Sequence, residues 1–221
     1  TKEECLDLPP MVYVKREVDM TAQQKKYYKE LKSKMIMQAA GEQITAANAA
    51  VNMNKLLQIS SGAVYTDNGD ALEFDITKRY KVMREVIDES SKKVLVFVPF
   101  RHTIQLLTDK LRKDGISTEI INGDVPAAKR TDIFKRFQEQ PDPKVLVIQP
   151  QSAAHGVTLT AANTVIWWAP TSSLETYAQA NARVHRSGQD QKCTVVHLQG
   201  SFAEKRVYTL LDNRIDIHTK M

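Results

Sequence analysis

The chain has 221 residues, 42% of them apolar, enough for one full-sized core with a small appendage. A net charge of +5 admits nucleic acid as a partner without requiring it. Two distant cysteines, Cys5 and Cys193, exclude a disulfide scaffold and a thiolate metal site; with no apolar run near ~20 residues, an intracellular protein without a membrane partner is expected.

No secretory leader is visible, and the chain opens on Thr1 rather than Met, which points to a segment of a longer polypeptide. Residues 1–90 read as mainly helical, with little sheet pattern. Thr21 and Gln24 form a possible capping box ahead of a helix carrying Tyr27, Tyr28, Leu31 and Met35. A second helix carries Val51, Leu56, Leu57 and Ile59 and stops at Ser61-Gly62. Asn68-Gly69, between Tyr65 and Phe74, predicts a hairpin with a type I′ turn. A third helix carries Val82, Met83, Val86 and Ile87. The string VIDES, Val86 to Ser90, has the letters of a metal-binding Asp-Glu box, but its apolar residues repeat at helical spacing and no phosphate loop precedes it. It is rejected as such a box, and no metal ligands are assigned.

From residue 91 to 221 strands and helices alternate. Val94–Val98, Ser117–Ile121, Val145–Ile148, Thr164–Trp168 and Thr194–Leu198 read as strands. The helices between and after them present Ile104, Leu107 and Leu111, then Ile133, Phe134 and Phe137, then Leu174, Tyr177 and Ala178, and last Val207, Leu210 and Leu211. Trp167 and Trp168 are assigned to packing. The alternation predicts an α/β fold, a mostly parallel sheet with helices on both faces, preceded by the mainly helical segment. Loops at 99–103, 122–126, 149–160 and 169–173 leave the carboxyl ends of the strands, where ligands of such sheets sit.

The run QANARVHRSGQ, Gln179 to Gln189, carries the most chemistry. Ser172 and Glu175 read as a capping box, and Gly188 as a left-handed stop. One helix between them would place Gln179, Arg183 and Arg186 on one face, at i, i+4 and i+7. Two permanently charged forks suit a polyphosphate. They are expected to face an open cleft rather than the core.

KVLVFVPFRHTIQLL, INGDVPAAKRTDIFKRF, QSAAHGVTLTAANTVIWW and QANARVHRSGQ follow one another in the order and spacing of motifs in superfamily 2 helicases. With the front stretches LPPMVYV, TAQQKKYY and MNKLLQISSG, nearly the whole chain resembles the second RecA-like lobe of Snf-type DNA translocases and the segment that joins the lobes. Motif V departs from that pattern, with His155 where a second Gly is common and Thr158 where Asn or Asp is; His155 is read as a loop residue.

The resemblance implies a division into a helical inter-lobe segment, 1–90, and a RecA-like lobe, 91–221. It also implies half of an active site for ATP. Arg183 and Arg186 would act as arginine fingers, with Gln179 holding the nucleotide or water in register and Gly156 and Thr158 lying beside the nucleotide. No G-x-x-x-x-G-K-[ST] occurs, so an N-terminal RecA-like lobe would bring the phosphate loop and most of the Mg2+ ligands. Arg101, His102, Asn122, Gly123, Asp124, Ser152 and Ala153 would meet the backbone of DNA, expected to be duplex and bound without regard to sequence. Lys129 and Arg130 read as solvated charge. Two other readings remain: a nucleic-acid-binding module of this fold without ATP turnover, and a stand-alone doubly wound enzyme. The second needs a glycine-rich turn after the first strand, and Val98-Pro99-Phe100-Arg101 has none.

Overall fold

Runs such as Val145–Ile148 and Ala162–Trp167 are buried on both faces, which places them inside a covered parallel sheet. The computed structural model describes residues 8–41, 46–66, 68–153 and 156–219. The leading part comprises β1 (Met11–Glu17), α1 (Ala22–Gly41), α2 (Ala46–Ser61), β2 (Ala63–Tyr65), β3 (Ala71–Glu73) and α3 (Thr77–Glu89). Then come β4 (Lys93–Phe97), α4 (Arg101–Lys113), β5 (Thr118–Ile121), α5 (Ala127–Glu139) and β6 (Val145–Ile148). A 3-10 turn (Pro150–Ala153), β7 (Ala162–Trp167), α6 (Leu174–Asn181), β8 (Cys193–Gln199) and α7 (Phe202–Thr219) complete the order. Six strands make one parallel sheet in the order β1-β8-β7-β4-β6-β5.

The leading segment therefore supplies a strand as well as helices. Met11 pairs opposite Cys193, and the register runs on to Glu17 opposite Gln199. As an edge strand β1 is half-exposed, so it lacks the apolar run that marks β4 or β7. Its exit is fixed by a close approach. A Cβ on Gly200 would lie 1.8 Å from the Val18 carbonyl oxygen, so a side chain there would push β1 off β8.

The capping box forms in both directions: Thr21 N donates to Gln24 Oε1 at 2.9 Å, and Gln24 N to Thr21 Oγ1 at 3.2 Å. Gln24 is itself buried and donates through Nε2 to the Ile59 carbonyl at 2.8 Å, tying α1 to α2. Gly62 ends α2 at φ +120°. β2 and β3 form the expected hairpin, but Tyr65 pairs with Ala71, and Thr66 N donates to Asp70 O. The loop is thus longer than the two residues a type I′ turn would give. Val86 to Glu89 lie in α3, as their spacing indicated.

A buried ion pair fastens the leading helices to the sheet. Arg79 on α3, 4% exposed, donates to the carbonyls of Ser60 at 3.1 Å, Leu198 at 3.1 Å and Trp168, and to the Glu204 carboxylate. Glu204 also accepts from the backbone N–H groups of Gly200 and Ser201. Trp168 and Trp167 are core residues, donating to the Ser61 carbonyl and to Asn181 Oδ1 respectively. Ala178, expected to face the core, is exposed, and Ala180 and Asn181 are buried instead; on α7, Val207, Tyr208 and Leu211 are buried and Leu210 is exposed.

Candidate nucleotide and nucleic-acid site

The residues of QANARVHRSGQ do not form one helix. Ser173, one residue later than expected, caps α6: its Oγ accepts from Thr176 N at 3.2 Å. α6 then ends at Asn181, whose Oδ1 is held by the Trp167 indole. From Ala182 the chain tightens, with Arg183 N bonded to Ala180 O and Val184 N to Asn181 O. The Arg183 carbonyl is taken by Leu159 N at 2.9 Å. Buried Gln189 closes the turn by donating to the carbonyls of Val184 at 2.9 Å and Ala162 at 2.8 Å. Gly188, at φ +96°, stops this turn rather than a helix.

This turn lies at the amino ends of the strands, because a crossover helix leaving β7 must come back to the start of β8. The segment between β6 and β7 makes the same journey without an α-helix. It leaves β6 through the 3-10 turn, which packs on α6, and passes Gly156, Val157 and Thr158 to reach Leu159 beside Arg183. Gln138 on α5 holds its end, donating to Thr160 Oγ1 at 2.8 Å and accepting from Ala161 N at 3.0 Å.

Gly156, Thr158, Arg183 and Arg186 are thus brought together. Arg186 is half-exposed and donates through Nη1 to the Gly156 carbonyl at 2.9 Å. Gly156 is exposed at φ +66°, and Thr158 is exposed. Arg183 departs from the open-cleft expectation. It is 7% exposed, and its Nε is buried with no hydrogen-bond partner. Burial first, and then the Arg186 charge, push the Arg183 guanidinium below the usual arginine range. Among the described residues neither arginine forms an ion pair with a carboxylate. A buried guanidinium and a half-exposed one with spare donors have the chemistry to hold an anion. Gln179 stands on α6, half-exposed, with its amide donating to Glu175 Oε1 at 2.9 Å.

A second group gathers at the carboxyl ends of the strands. Arg101, first residue of α4, forms an ion pair with Asp124 at 3.1 Å, and its Nη2 lies over Gly123. Asn122 Oδ1 accepts from Asp124 N, and Arg130 donates to the carbonyls of Asn122 and Val125 at 3.2 and 3.1 Å. Arg130 thus braces this loop rather than merely being solvated. His102 pairs with Glu73, and its backbone N–H donates to Tyr65 Oη, so the β2–β3 hairpin reaches α4. The side chains of Ser152 and Ala153 are buried, whereas Gln151 beside them is exposed. His155 lies outside the described residues, as does Cys5. Cys193 is buried, and burial pushes its thiol up to about 11.

Sequence reasoning missed the bracing by Arg130, the closure by Gln189 and a bond from His185 to Pro9. None has a local signature; the alternation in MVYV was the one available hint that a strand precedes them.

A parallel α/β sheet with an arginine pair at one edge and polar loops at the other defines a RecA-like lobe. The helicase conserved C-terminal domain family matches residues 78–188, half of the chain, and the chain belongs to that family. Among curated relatives, it is 28% identical over 215 residues to "Chromodomain-helicase-DNA-binding protein 1-like" of Mus musculus, covering 90% of this chain and 23% of that protein. The C-terminal part of the Fun30 ATPase domain superposes with a TM-score of 0.72 at 16% identity, covering 92% of this chain and 90% of that one. The Sulfolobus solfataricus SWI2/SNF2 ATPase core in complex with dsDNA also gives 0.72, at 22% identity over 92% of this chain and 44% of that one. Such likenesses establish the fold. The chain spans less than a quarter of the length of the first curated relatives it matches.

Proposed function

We propose that this chain is the second lobe of an ATP-dependent DNA translocase or helicase of the Snf type, with residues 1–90 as its inter-lobe segment. The observation that carries the reading is Arg183: a buried guanidinium beside a second one, with an unsatisfied Nε and no carboxylate partner among the described residues. Such a group is costly unless an anion completes it. ATP would supply the phosphoryl group transferred to water, with its phosphate loop and most Mg2+ ligands coming from another lobe. Arg183 and Arg186 neutralise charge on the phosphoryl oxygens as it develops, and Gln179, once freed from Glu175, orients the nucleotide or water. Their contribution is expected to be roughly 10³–10⁵ in rate. Gly156 and Thr158 lie where they can line the nucleotide.

Duplex DNA is proposed to lie at the opposite edge, against Arg101, His102, Asn122, Gly123, Asp124 and the turn at Ser152 and Ala153. Arg101 offers charge, and His102, Asn122 and the exposed Gln151 beside Ser152 and Ala153 offer polar groups for phosphates. The dsDNA in the Sulfolobus solfataricus complex supports this partner. The helix-free crossover through Gly156 touches both edges, so closure on a nucleotide can shift the DNA loops.

In the full-length protein, Arg183→Ala or Arg186→Ala is expected to lower DNA-stimulated ATP turnover by at least ~100-fold, with a smaller loss of ATP affinity. Arg→Lys should rescue poorly, since an ammonium lacks the planar fork. Normal turnover in either alanine variant would remove that arginine from the role. DNA binding with no turnover in the unaltered protein would favour a nucleic-acid-binding module instead.

A further inference from the structure

His185 sits between the two arginines in sequence and is bonded to the leading segment. It is 9% exposed, and its Nε2 lies 2.8 Å from the Pro9 carbonyl oxygen. A carbonyl only accepts, so Nε2 carries the proton and donates. One residue on, the Pro10 carbonyl accepts from Cys193 N at 3.0 Å, and β1 then runs in register along β8. The strand entering the sheet is therefore pinned at its first residues to the turn that carries Arg183 and Arg186.

The rest of that turn is fastened elsewhere. Leu159 N holds the Arg183 carbonyl, Gln189 holds Val184 to Ala162, and Arg186 holds Gly156. All three anchors lie on the path into β7. The His185 bond alone among these ties the turn to the leading segment, which also meets the sheet through β1, α3, the Arg79 pair and the bond from Trp168 to Ser61. Val184, beside His185 in the turn, is fully buried.

We infer that His185 is a positioning residue: its bond to Pro9 sets the aim of Arg183 and Arg186 by the docking of the strand that enters at Pro9 and Pro10. This rests on the proposed arginine-finger reading. It adds that the entering chain, and not only the crossover, governs whether the fingers are presented. On the two-lobed reading that chain comes from the other lobe, so lobe placement reaches the arginines through one hydrogen bond.

The test compares His185→Ala, His185→Asn and His185→Gln in the full-length protein, beside Arg183→Ala. Losing one buried hydrogen bond that orients the fingers should lower kcat about tenfold in the Ala variant, with KM for ATP moving less than about twofold. The Gln amide reaches as far as Nε2 and should restore kcat to within about threefold, whereas the shorter Asn should behave like Ala. Hydrogen exchange should quicken at residues 11–14 in the Ala and Asn variants and stay slow in β4 and β6. Unchanged kcat per folded molecule with a lowered Tm would overturn the inference and make His185 a fastener of β1 only. If Ala does not fold, the contrast between Asn and Gln decides: equal kcat overturns it. Arg183→Ala separates the two levels. If that variant is inactive while His185→Ala turns over normally, this inference alone fails; if Arg183→Ala is normal, the finger reading fails first.

Discussion

A buried cation that no carboxylate neutralises works against the fold that holds it, and among the described residues Arg183 has no such partner. Arg183→Met keeps most of the buried stem and drops the charge. It is expected to leave the melting temperature unchanged or raise it, by ~2–4 °C per kcal/mol relieved at this chain length, while abolishing the finger's contribution to turnover. Differential scanning calorimetry and an ATPase assay on the same preparation check this; a clear fall in Tm would make Arg183 a fastener of the turn. The arginine pair was legible because Arg-x-x-Arg is followed by Gly-Gln. Its burial was not, because the chain that meets this turn, through the bond from Leu159 N to the Arg183 carbonyl, is more than twenty residues away.

At the scale of elements, apolar runs set strand positions to within one or two residues, because a strand buried on both faces leaves no other reading. The Thr21–Gln24 box was legible for a local reason, as its two bonds join residues three apart. α6 was not. Ser172, Ser173 and Glu175 offer two capping frames, and tertiary contacts chose the later one and ended the helix at Asn181. Ser173→Ala should therefore destabilise by ~1 kcal/mol, and Ser172→Ala by less than ~0.5. Urea unfolding of both variants tests it, and the reverse order would restore the earlier frame. Topology placed the loops at the carboxyl ends and the resemblance singled out their residues; the Glu73 and Asp124 carboxylates that hold His102 and Arg101 come from other elements and have no sequence signal.

For the whole molecule, the proposed half-site has a simple consequence. The chain by itself should hydrolyse no ATP, with or without DNA, since no phosphate loop is present in its sequence. A malachite-green phosphate assay on purified chain checks it, and DNA-stimulated release would sink the half-site account. One more consequence follows from β1 lying against β8. Strand β1 pairs with β8, which is made roughly 180 residues later, so at ~5–20 residues per second it waits on the order of 10–40 s for its neighbour. During that interval the nascent chain carries an unpaired strand edge, and a fragment trimmed to the family match at 78–188 would lack both strands and leave the apolar β7 as a bare margin. Yield in the cell should thus depend on how well chaperones shield the ribosome-bound chain over those seconds.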